Sequence, residues 1–171
     1  VSRIVAAGDP EQTAIRCLFM RGGSSRGGVF LADELPEDPI DRAATLLACY
    51  GSPDHRQIDG IGGSDPLTSK AAVVARSKRA DTDLDYTFYQ IGIDRAQVST
   101  GGNCGNMLAA VGPFGILRGL IRPTEPETAI RIFTTNTGQV VTARIQVGDG
   151  FPRVDGDARV AGVPGTGSPI A

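Results

Sequence analysis

The sequence predicts an α+β domain in which short strands supply most of the framework and one helix is buried inside it. Three observations carry that expectation. Short apolar runs alternate with polar turn segments such as SPDHRQIDGIGGSDPLTS and SKRADTD, the pattern of a mostly β framework. The stretch from Asn106 to Leu120 is apolar on nearly every face, so it must be covered on most sides. AIRIFTT and QVVTARIQV are joined by Asn136-Thr137-Gly138, the clearest hairpin signal in the chain.

Taken in order, TAIRCLFM from Thr13 to Met20 reads as a buried strand, RGGSSRGG as a glycine-rich loop, and VFL as the strand that resumes. Asp38-Pro39 supplies a capping side chain and a proline at the first helical position. Apolar residues at 40, 43, 44, 47 and 48 make an amphipathic helix that stops at Gly51. KAAVVA and LDYTFYQIGI are two strands linked by a charged turn. The helix from Asn106 should end near Gly119 and be kinked or split at Gly112-Pro113. After the hairpin, Asp149 to Ala171 is dense in Gly, Pro, Ser and Asp, a linker composition.

A chain of 171 residues is enough for one core. With 17 basic and 19 acidic residues spread along it, no basic stripe exists to hold a phosphate backbone, so nucleic acid is not expected as a partner. No apolar run approaches the roughly 18 residues that cross a bilayer, and no signal core is visible. A soluble, cytoplasmic protein without a membrane partner is expected. Three cysteines, an odd number at wide spacings, fit a reducing compartment, and one histidine with no CxxC pair leaves no expected metal site.

Glycine pairs at 22–23, 27–28, 62–63 and 101–102 imply tight turns or backbone brought close to a ligand. The last pair opens Gly101-Gly102-Asn103-Cys104-Gly105-Asn106, which leads into the buried helix. A cysteine at a helix N-terminus meets unpaired N–H groups that favour a thiolate, and Gly105 and Asn106 offer the same donors to a carboxylate or an enolate. An inert buried cysteine in an ordinary turn fits the same residues. Lys70 opens an apolar strand, where a desolvated ammonium could serve in proton transfer or simply reach solvent from a strand end. Arg21, Ser24 and Ser25 sit on a loop suited to carboxylates, or to a plain surface turn. Cys17 and Cys49 fall on core positions, and His55 has no nucleophile spaced to pair with it.

Three segments together, MRGGSSRGG at 20–28, GSPDHRQIDGIGGSDPLTSK at 51–70 and GGNCGNMLAAVGPFGI at 101–116, resemble the PrpF-type isomerases, relatives of diaminopimelate epimerase. Ser24 and Arg26 depart from the family's usual threonine and lysine. The resemblance implies a barrel-like mixed or antiparallel sheet wrapped around a central helix over residues 1–160. Residues 161–171 would then lead toward a second domain of the same protein, which this chain lacks and without which the cleft would miss one wall; a homodimer is compatible. It also implies Lys70 and Cys104 as the acid/base pair, with Ser24, Ser25, Ser69 and Asn103 lining a carboxylate cleft.

The expected activity is a 1,3-proton shift on a small polycarboxylate, without cofactor. Within the family, Asp65-Pro66-Leu67-Thr68 and Thr135-Asn136-Thr137-Gly138-Gln139 look most like the isomerases of 4-oxalomesaconate, in the breakdown of aromatic acids. Aconitate-type isomerisation is the alternative, and a carboxylate-binding fragment without catalysis is a third reading.

Overall fold

A computed structural model describes residues 13–171. The strands are β1 (Leu18–Gly22), β2 (Ser25–Leu31), β3 (Lys70–Arg76), β4 (Leu84–Ile91), β5 (Val98–Ser99), β6 (Glu127–Thr134), β7 (Gln139–Gly148) and β8 (Phe151–Pro152), with helices α1 (Pro39–Tyr50) and α2 (Gly105–Leu117). They form one eight-stranded mixed sheet in the order β1-β2-β3-β4-β6-β7-β8, with β5 paired to the far end of β4. The α+β class expected from the sequence is observed.

The sheet curls around α2, which touches β1, β2, β3, β4, β7 and β8. Val29, Ala72, Val74, Tyr86, Ile130 and Ile145 face it and form the inner core with Met107, Val111 and Phe114. Alternate residues of the same strands, among them Phe30, Ala71 and Val73, face outward and pack with Leu46 and Tyr50 of α1. This placement follows from strand direction. β2 and β3 are parallel, β4 runs against them, and β6 is parallel to β4. Both crossovers step the same way along the sheet, so a single crossover hand puts α1 and α2 on opposite faces.

Asp38 Oδ1 accepts hydrogen bonds from the N–H groups of Ile40 and Asp41 at 2.8 and 3.1 Å, and α1 ends at Gly51 in the left-handed region, as the capping pattern predicts. α2 is not split at Gly112-Pro113: Pro113 lies inside one unbroken helix, which ends at Leu117, near Gly119 as expected. Gly112 is there for close packing: a side chain would meet Ile145 Cδ1. Packing against the sheet therefore carries α2 through the Gly-Pro step. The first strand also differs, beginning at Leu18 rather than Thr13 because only from Leu18 onward does it find β2 as a partner. RGGSSRGG is not a long loop. Arg21 and Gly22 close β1, Gly23-Ser24 make the turn, and Ser25 already pairs back with Gly22. The glycine-rich tail folds back on the domain, with β8 on β7 and Ile170 bridged to Ile145. Among the described residues no helix is long and apolar enough to cross a membrane.

Candidate active site

Lys70 is the first residue of β3 and points to the inner face, in register with Gly27 on one side and Gln90 on the other. Its main chain is held closely. A side chain at position 27 would collide with the Lys70 carbonyl. The Tyr50 hydroxyl, delivered from the end of α1, accepts from Gly28 N at 2.8 Å and donates to the Lys70 carbonyl. With the backbone fixed, the ammonium reaches Ser25 Oγ at 3.2 Å and Cys104 Sγ at 3.5 Å, and lies 5.8 Å from the centre of the Phe88 ring.

Cys104 is the N-cap of α2, with extended backbone angles and no capping bond from its side chain. Its carbonyl accepts from Leu108 N at 2.9 Å, the first bond of the helix, and from the Tyr86 hydroxyl at 3.2 Å. Its N–H is covered by Asn103 Oδ1 at 2.8 Å. The thiol is thus left to face Lys70, and it is buried, at 8% exposure. The opening N–H groups of any α-helix have no acceptor within the helix. Here they lie beside Gly105, where a side chain would meet no atom.

The turn between β1 and β2 completes the arrangement. Asn106 Nδ2 donates to Ser24 Oγ at 2.9 Å and to Ser25 Oγ at 3.3 Å. Gly22 permits this contact, because any side chain there would strike the Asn106 carbonyl. Ser25 accepts from both Lys70 and Asn106, so its hydroxyl proton is free for an acceptor beyond these two. Lys70, Cys104, Ser24, Ser25, Asn103, Gly105 and Asn106 therefore converge at one end of α2.

Two expected site residues make no bond to this group. Arg21 is opposite Arg26 in the hairpin, exposed on the edge strand, and its guanidinium turns back to donate to Gly23 O at 2.8 Å. Ser69 is fully buried and donates to Gln57 Oε1 at 2.8 Å. Cys17 and Cys49 are half-buried against the outer core, and burial pushes both thiols up. His55 is exposed beside Asp54. The tyrosines were not visible in sequence as site residues, since Tyr86 alternates like any core position of β4 and Tyr50 is an apolar-face residue of α1. Burial above all, and then the nearby Cys104, pushes the Tyr86 phenol far up, which keeps it a neutral donor.

Residues 12–171 match the family described as PrpF protein. The chain belongs to that family. Among relatives of this PrpF chain, the (4E)-oxalomesaconate Delta-isomerase of Novosphingobium sp. (strain KA1) is 52% identical over 162 residues, 95% of this chain and 45% of that protein. The 4-oxalomesaconate tautomerase of Pseudomonas putida is 53% identical over 154 residues, 90% and 43%. A crystal structure of methylitaconate-delta-isomerase matches with a TM-score of 0.89 at 46% identity, over 91% of this chain and 40% of that one. The PrpF chain thus spans about half the length of the curated relatives it matches.

Proposed function

We propose that this PrpF chain carries the acid/base pair of an isomerase that moves a proton between carbons of a small polycarboxylate. The observation that carries the reading is the contact of Lys70 Nζ with Cys104 Sγ at the opening of α2. Between them, thiol and amine supply one proton acceptor and one donor at neighbouring points, which is what a shift of a proton from one carbon to another needs. Loss of the proton next to a carbonyl or carboxylate leaves an enolate. The first N–H groups of α2 and the cation of Lys70 are suited to hold that charge in a water-poor site. Ser25 has its proton available for a substrate oxygen, and Asn106 aligns both serines.

The preferred substrate is 4-oxalomesaconate, in the catabolism of aromatic acids. Its support is the identity to the Novosphingobium and Pseudomonas proteins, above that to methylitaconate-delta-isomerase. The test is an ultraviolet assay of the full-length protein with 4-oxalomesaconate and cis-aconitate, beside Lys70→Met and Cys104→Ser. Each variant is expected to lose about 10²-fold or more in kcat, the usual share of a positioned acid or base. No turnover of either acid by the unaltered protein, or full rates in both variants, would overturn the reading.

A further inference from the structure

The segment between α1 and β3, residues 51–69, has no regular element, yet it delivers the strand that begins with Lys70. Its interior is organised by one side chain. Gln57 is 1% exposed and has a φ of 47°, a left-handed conformation that is unfavourable for glutamine and persists only where surroundings enforce it. Its amide oxygen accepts from Ser64 N and from Ser69 Oγ, both at 2.8 Å, and its amide nitrogen donates to Ser52 Oγ at 3.0 Å. One buried amide therefore ties the start, the middle and the end of the segment together. Ser69, the residue it grips, immediately precedes Lys70, and the Ser69 carbonyl is held in turn by Ile91 N and Gln90 Nε2, both at 2.9 Å.

We propose that Gln57 is a positioning residue for Lys70, acting through Ser69. The proposal rests on the reading that Lys70 transfers a proton. Gln57 bonds to none of Lys70, Cys104 or Ser25; its effect is to fix where β3 starts. The 3.2 and 3.5 Å contacts of the ammonium leave little room for the strand to slide. Loss of the amide leaves the buried Ser69 hydroxyl without its acceptor and releases the Ser64 N–H, which drives the segment to rearrange. The partner of a proton transfer that is displaced by about 1 Å costs on the order of 10²-fold in rate.

The experiment uses the full-length enzyme with Gln57→Leu, Gln57→Glu, Ser69→Ala and Lys70→Met, each measured for kcat, KM and thermal midpoint. Gln57→Leu is expected to lower kcat by about 10- to 100-fold per folded molecule, with KM moved less than about threefold. Gln57→Glu keeps the acceptor for Ser64 and Ser69 and should regain part of the rate. Adding Gln57→Leu to Lys70→Met should cost nothing further, because the group being positioned is gone. Wild-type kcat in the folded Gln57→Leu protein, while Lys70→Met abolishes turnover, overturns this inference and leaves the isomerase reading intact. Full turnover by Lys70→Met sinks the isomerase reading itself. If Gln57→Leu does not fold, Ser69→Ala decides. A fall in kcat at constant KM supports positioning, whereas a raised KM at constant kcat makes Ser69 a substrate contact and overturns it.

Discussion

At Cys104 the main chain and the side chain answer to different partners. The carbonyl belongs to the helix and to Tyr86, the N–H to Asn103, and only the thiol is left for Lys70. That division makes Tyr86 separable by substitution. Tyr86→Phe keeps the ring in the inner core and leaves the Cys104 carbonyl its bond from Leu108, so the loss should be about 1 kcal/mol, one buried hydrogen bond, read from urea unfolding. Turnover should fall by less than about tenfold, because the thiol keeps its own contact. An unchanged unfolding midpoint would show that the hydroxyl contributes nothing there. The cysteine itself was legible in sequence, since glycines, asparagines and an apolar helix surround it in a run of a few residues. Lys70 was named with force only through the family resemblance, because its neighbours Ser25, Cys104 and Phe88 are brought to it by three other elements. Arg21 was named from its residue type, and the structure leaves it on the edge strand β1, bonded to the Gly23 carbonyl of the same turn rather than to Lys70, Cys104 or the serines.

Between elements, Tyr50 makes a joint from the end of α1 to two strands at once. Its hydroxyl takes the Gly28 N–H of β2 and gives its proton to the Lys70 carbonyl of β3. Burial is the main cause that pushes this phenol far above its ordinary value. The folded chain therefore keeps a proton that the unfolded chain surrenders above about pH 10. Stability from this joint is complete below that pH and declines as pH rises through the interval up to the folded value, by at most about 1.4 kcal/mol per pH unit. Tyr86 acts in the same direction. Unfolding free energy measured from pH 8 to 11 should fall, and Tyr50→Phe should flatten the slope while lowering stability at pH 8. An equal slope in the variant would assign alkaline sensitivity elsewhere. α1 itself was read correctly at both ends, because Asp38, Pro39 and Gly51 are local signals. The start of β1, the continuity of α2 through Pro113 and the return of the tail to β7 were misread or invisible, since each depends on a partner far away in sequence.

Across the whole molecule, one sheet serves two cores. The inner core around α2 and the outer core under α1 are built from alternate residues of the same strands: Val29 and Phe30 in β2, Ala72 and Val73 in β3. Neither core can come apart without exposing the back of the strands that form the other. The chain should therefore unfold in one transition, although its two helices never share a face. Phe114→Ala in the inner core should cost about 3–5 kcal/mol and Leu46→Ala in the outer core about 2–5 kcal/mol, and both should move the same midpoint. Because the two side chains belong to different cores, the pair should be additive to within about 0.5 kcal/mol. Calorimetry of the two single variants and the double variant reads this directly. If Leu46→Ala instead splits off an early transition that leaves the inner core intact, α1 is a separately melting layer. The Tyr50 joint to Lys70 would then open before the rest of the fold.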